Sequence, residues 1–250
     1  MDDLVFFDCN CMIGRTSVRD VRDFHSFERL KEEMEYFGIS EALVYHSSAK
    51  EYSPSVGNLK LLEEIEGSPN IYPCWVVMPH HTHEFPKAGE LIEEMKRHGV
   101  RAVKLFPSDG SLNFSLREWS AGELFSELEA HKIPTLIDLA QTSWDVIHDI
   151  CDSHPNLPLI ITNVNYRIDR YLYPLFAKFK NLYVELSGYV GHRYIEAICN
   201  NFGAERLLFG TRLPLFSAGP AIMLVTYARI SPEAERLIAG DNLRRLLQWE

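Results

Sequence analysis

Pro134-Thr135-Leu136-Ile137-Asp138-Leu139 is a short apolar run, Leu157-Pro158-Leu159-Ile160-Ile161-Thr162 is another, and the amphipathic stretch Ser143–Ser153 separates them. Strand, helix and strand in that order predict a parallel pair, because parallel neighbours need a crossover that returns the chain to the same end. The rhythm continues on both sides. Further candidate strands are Leu4–Cys9, Glu41–Tyr45, Tyr72–Val77, Ala102–Phe106, Leu182–Leu186 and Arg206–Phe209, with helical patterns such as Phe27–Tyr36, Gly89–His98, Ala121–His131 and Ile195–Phe202. Eight strand–helix units predict an α/β fold, a single (β/α)8 TIM barrel spanning residues 1–250. A doubly wound sheet usually has fewer strands, and its glycine-rich phosphate turn is missing here.

Composition narrows the function. At 250 residues and 46% hydrophobic, the chain can bury one large core. A net charge of −10 argues against nucleic acid and against an anionic membrane as partner, since both call for a basic face. No apolar run is long enough to span a bilayer, and the acidic start Met1-Asp2-Asp3 does not read as a signal peptide. Five cysteines without repeated spacing fit a reducing compartment, so the expected location is cytoplasmic. Nucleophile-elbow serines, phosphate loops and Cys-x-x-Cys pairs are absent from the sequence.

In such barrels chemistry sits where strands run into loops. The strand ends are polar: Asn10, His46, His80, Lys104, Asp138, Gln141, Asn163, Asn165, Glu185, Ser187 and Arg212. Phe106, Trp144, Tyr166 and Tyr189 could wall a pocket for a small organic ligand, although core packing explains most of those rings equally well.

Several stretches taken in order resemble the amidohydrolase-related ("amidohydrolase 2") family of metal-dependent barrel hydrolases and decarboxylases. Phe7-Asp8-Cys9-Asn10-Cys11-Met12-Ile13-Gly14 resembles its Asp-x-His-x-His-x-Gly strand. The runs ending at Asp138 and at Asn163 are similar to two strands that end in a ligand histidine. Arg206-Leu207-Leu208-Phe209-Gly210-Thr211-Arg212-Leu213-Pro214 is similar to the last strand, where an aspartate stands before x-Pro, and Gly240-Asp241-Asn242 matches the turn of the closing helix. The resemblance implies a hydrolase or lyase with a metal such as zinc.

The five metal positions of that family fall on Asn10, Met12, Asp138, Asn163 and Arg212. Only Asp138 is a good ligand for a zinc-type ion, and a guanidinium has no lone pair to offer. The expectation is a lost metal site with no cofactor, in which Arg212 supplies part of the missing charge and pairs with Asp138 or Glu185. Strand parity puts Cys9 and Cys11 opposite Asp8, Asn10 and Met12, facing the surrounding helices. His80 and His83 are the best substitute metal cluster, read more simply as loop histidines.

The residues expected to carry chemistry are Lys104, Asp138 and Arg212. Lys104 would act as a nucleophile or base if desolvated towards neutrality, or else form a buried ion pair with Glu185 or Asp138. Asn10, His46, Asn163, Glu185 and Arg212 are expected to bind a small carboxylate- or amide-bearing metabolite, Arg212 through a bidentate pair. Three readings stay open: a hydrolase or lyase working without the family metal, a binding protein that has lost turnover, and a metal hydrolase with unorthodox ligands. The state of association is open between monomer and homodimer.

Overall fold

The computed structural model describes residues 4–17 and 25–248. Its strands are β1 Phe6–Ile13, β2 Ile39–His46, β3 Ile71–Val76, β4 Ala102–Leu105, β5 Thr135–Asp138, β6 Leu159–Thr162, β7 Leu182–Glu185 and β8 Leu207–Leu208. They lie in one sheet in sequence order, and every neighbouring pair is parallel. Main-chain bonds from Cys9 N–H to Phe209 O (3.0 Å) and from Met12 N–H to Leu213 O (2.8 Å) tie β1 to the segment after β8, which closes the ring. With helices between the strands this is the expected (β/α)8 barrel.

Alternation along the strands sorts the apolar residues into two cores. Phe7, Leu43, Cys74, Ala102, Leu136, Ile160 and Leu208 fill the inside of the barrel, and Leu243 and Leu247 of the closing helical segment pack with them. Phe6, Val44, Val103, Ile137, Ile161 and Val184 point outward and meet the helices. The helix Phe27–Phe37 shows the fit of sequence to structure: the Ser26 hydroxyl accepts from Arg29 N–H, Leu30 and Met34 are buried, and Gly38 at φ +70° ends it.

β8 is shorter than the expected Arg206–Phe209 run. Its start is pinned by the buried Asn242, whose amide donates to Ala204 O (2.8 Å) and Leu207 O (2.9 Å). That is the structural work of the Gly240-Asp241-Asn242 turn.

Candidate active site at the barrel mouth

Inward-facing positions one layer above the apolar filling carry Tyr45, Lys104, Phe106, Asp138, Thr162 and Glu185. Lys104 is the centre. Its Nζ donates to Asn10 Oδ1 (2.8 Å) and to Asp138 Oδ1 (2.9 Å), and lies 4.9 Å and 5.4 Å from the ring centres of Tyr45 and Phe106. The lysine is only 1% exposed. Asp138 also accepts from the Thr162 hydroxyl, which β5–β6 pairing sets directly opposite it. Asn10 continues the chain of bonds: its amide nitrogen lies 3.4 Å from Glu185 Oε2. Glu185, fully buried, accepts in addition from the main-chain N–H groups of Asn163 (3.3 Å) and Ser187.

Asn10 reaches this cluster because β1 is irregular. Its register against β2 shifts between Asp8 and Cys11. Asp8 Oδ1 accepts from Asn10 N–H (2.9 Å) and Thr211 N–H (3.1 Å), and Oδ2 accepts from the Thr211 hydroxyl. The buried carboxylate thus holds an extra residue in the strand and stitches β1 to the end of β8. This corrects the parity argument: Cys9 packs inside the barrel and only Cys11 faces the helices. Simple alternation fails because the bulge lies between them.

The charges are set by these contacts. Burial works against the Lys104 ammonium, but the Asp138 carboxylate and Tyr45 more than offset it and hold its pKa above the ordinary lysine value. Burial likewise works against ionised Asp138, while Lys104 and the Thr162 hydroxyl bring its pKa below the usual carboxylate range. Lys104 thus sits in the buried ion pair with Asp138 that was one of its two expected arrangements. Glu185 behaves oppositely: burial pushes its pKa up, opposed by the Ser187 and Asn163 bonds. Asp8 is raised by burial in the same way, with Thr211 opposing.

Arg212 does not pair with Asp138 or Glu185. Its backbone sits at φ +62°, its carbonyl accepts from Leu215 N–H (2.8 Å), and its guanidinium lies 4.2 Å from the Phe216 ring centre. The turn that follows Thr211 swings residue 212 to the half-exposed rim, so the buried cation is Lys104. Among the described residues Arg212 has no carboxylate partner.

His46 stands apart from the cluster. It points outward from β2, its Nδ1 accepts from Ser48 N–H (3.0 Å), its Nε2 lies 3.4 Å from Glu64 Oε1, and burial lowers its pKa. Its neighbour Tyr45 faces the site instead. Asn163, at φ +60°, contributes its main-chain N–H to Glu185, while its side-chain oxygen is buried without a partner. His80 and His81 face the helix Glu118–Ala130, His80 at 3.9 Å from Glu123 Oε2 and His81 at 2.9 Å from Ser120 O.

Of the expected aromatic walls only Phe106 touches the centre. Trp144 stacks on Tyr171, Tyr189 is buried against Asp169, and Tyr166 is exposed with Arg167 over it. Tyr45, Thr162 and Thr211 are neighbours of this cluster that the sequence reading missed. The inward parity of Tyr45 with Leu43 was the available signal.

Two amides, a thioether and a guanidinium occupy four of the five aligned positions. The remaining carboxylate, Asp138, is already held by an ammonium. Among the described residues no three His, Cys, Asp or Glu side chains converge as ligands.

The fold and site are those of a barrel protein with a polar C-terminal mouth. The chain belongs to the Amidohydrolase family, whose profile matches residues 71–249. No curated protein sequence matches it. Among solved structures it is similar to an uncharacterised TIM-barrel protein from Bordetella bronchiseptica, at 20% identity over 98% of each chain, TM-score 0.75. It is similar to 2,6-dihydroxybenzoate decarboxylase from Rhizobium, at 14% identity over 98% of this chain and 99% of that one, TM-score 0.77. A third is 5-carboxyvanillate decarboxylase from Novosphingobium aromaticivorans with bound manganese, at 12% identity over 98% and 97%, TM-score 0.76. At such identities the likeness speaks to the barrel alone.

Proposed function

We propose that this protein binds a small carboxylate- or amide-bearing metabolite at the C-terminal mouth of the barrel, and turns it over by hydrolase- or lyase-type chemistry without the family metal. The observation that carries the reading is the half-exposed Arg212 guanidinium, free of carboxylate partners among the described residues, above a buried polar floor of Asn10, Lys104, Asp138 and Glu185. A rim arginine can grip a carboxylate in a bidentate pair. The floor offers fixed charge for a reacting group, and fixed charge is effective in a water-poor site. Support also comes from relatives named for acting on carboxylates, the two decarboxylases above and a probable 2-pyrone-4,6-dicarboxylic acid hydrolase from Acinetobacter baumannii.

A second reading, binding without turnover, is favoured by one observation: Lys104 and Asp138 are each held in the charged form, so neither is poised to take up a proton at neutral pH. The cytoplasm is the compartment proposed, supported by five free cysteines, and among the described residues no helix is long and apolar enough to cross a membrane. Neither reading involves nucleic acid or a membrane partner.

A panel of aromatic and aliphatic carboxylates and amides, screened by thermal shift and then assayed for carbon dioxide release and for hydrolysis, tests the proposal. The expected result is a carboxylate that binds and reacts, with affinity about 30-fold weaker in Arg212→Ala, equivalent to roughly 2 kcal/mol for a charged hydrogen-bonded contact. A ligand that binds and never reacts establishes the second reading. Equal affinity in Arg212→Ala sinks the role given to the rim.

A further inference from the structure

The Lys104 ammonium has the surroundings of a bound cation. Oxygens from two distant strands approach it at 2.8 Å and 2.9 Å, Asn10 from β1 and Asp138 from β5, and both are positions aligned with metal ligands. Two aromatic faces, Tyr45 from β2 and Phe106 after β4, close on its other sides at 4.9 Å and 5.4 Å. Asn10 and Asp138 are in turn fixed by Glu185 and Thr162. Six strands, β1, β2, β4, β5, β6 and β7, thus contribute to one cationic centre, and it lies in the same layer as the polar ends of the barrel. A divalent ion placed there would meet a covalently tethered positive charge at hydrogen-bond distance from its best ligand.

We infer that Lys104 is the resident cation of this barrel, a built-in ammonium that takes the place of a divalent ion, and that deleting its side chain leaves a site for a soluble cation. The inference extends the metal-free part of the function proposed above and assigns the replacement to β4 instead of to Arg212. It carries a consequence for the chemistry. An ammonium provides charge and hydrogen bonds, but it has no empty orbital and cannot acidify a bound water as a metal does. Lys104 orients Asn10 and Asp138 and balances Asp138. It is a positioning group for whatever binds above it.

The test is thermal melting of the wild-type protein, Lys104→Ala and the double variant Lys104→Met/Asp138→Asn, each with EDTA, manganese chloride, zinc chloride or ethylammonium chloride. Wild-type melting is expected to be indifferent to EDTA and to either metal. Lys104→Ala is expected to melt roughly 10 °C lower, because it leaves a buried carboxylate without its counter-ion. Ethylammonium or a divalent ion should recover part of that loss in a saturable way. The double variant leaves neither member of this pair charged, so it should fold and respond to neither.

If Lys104→Ala does not fold without a cation, refolding yield with and without ethylammonium gives the same answer. Wild-type protein that loses a stoichiometric metal and several degrees of stability to EDTA would overturn the inference. So would a Lys104→Ala protein that every cation leaves unchanged. Neither result depends on finding a substrate, so a failed activity screen and a failed cation test remain distinguishable.

Discussion

Asp138→Asn removes one charge from the centre of the mouth and almost nothing else. The pair it breaks lies at 2.9 Å, with Lys104 buried and Asp138 nearly so. At an effective dielectric constant near 20 the gross attraction at that distance is about 6 kcal/mol. Most of it offsets desolvation, so the measurable cost is that of stranding the Lys104 ammonium, roughly 3–5 kcal/mol for a buried pair. The new amide keeps one oxygen for Lys104 or for Thr162, which places the expectation at the lower end, about 3 kcal/mol. For a domain of this size that lowers Tm by roughly 6–12 °C.

The pH profile carries the sign. Asp138 has a folded pKa below its ordinary 3.8, so its contribution is complete above that value and is lost as pH falls through the lower, folded one. Lys104 has a folded pKa above its ordinary 10.5, so its contribution persists below that value and is lost as pH rises through the higher one. The Asp138→Asn penalty should therefore be flat across neutral pH and shrink only in strong acid or strong alkali. Calorimetric melts of the wild type, Asp138→Asn, Lys104→Met and the double variant complete a cycle, and the double variant should recover most of the loss. A cycle in which Asp138→Asn costs less than about 1 kcal/mol and the two changes add independently would refute the view that these groups act as one unit.

Two further variants probe how the site is held. Thr211→Val keeps the shape but removes the hydroxyl that donates to Asp8 and accepts from Leu213 N–H (3.0 Å), so chemical denaturation should show a loss of roughly 3 kcal/mol, and a change within experimental error would remove Asp8–Thr211 as the stitch that positions Asn10. Glu185→Gln should steepen no limb and erase one: the folded pKa of Glu185 is raised, so its favourable term is present below its ordinary 4.5 and fades as pH rises through the folded value. Relative to wild type the variant should gain stability with rising pH, Asp8 leaving a limb of the same direction in both proteins, and parallel profiles would contradict the raised pKa of Glu185.

The barrel was legible because its strands are buried on both faces and read as apolar runs between amphipathic ones. Leu136 and Ile160 could be placed in adjacent parallel strands from sequence alone, and β5–β6 pairing sets them side by side. Parity failed at Cys9, which shares the inside of the barrel with Asn10, because the Asn10 N–H bond to the Asp8 carboxylate holds an extra residue in β1, an event that alternation does not record.

Arg212 was misplaced for a related reason. Sequence gave its position after Phe209-Gly210, but the left-handed backbone at residue 212 turns it to the rim. Gly210 shows how tightly that corner is built, since a Cβ there would lie 2.6 Å from Glu185 Cγ. The Lys104–Asp138 pair stood among the sequence alternatives beside Lys104–Glu185, and the pairing of β4 with β5 favours it. Its partners Tyr45, Thr162 and Asn10 come from three other strands, and only closure of the ring brings them together.

The most direct measurement is a crystal structure of the wild-type protein grown in manganese chloride, with data collected for anomalous scattering. The account expects the Lys104 nitrogen between Asn10 and Asp138, as at 2.8 Å and 2.9 Å here, and no anomalous peak in the barrel mouth. A manganese peak at coordination distance from Asp138, with Lys104 displaced, would contradict it.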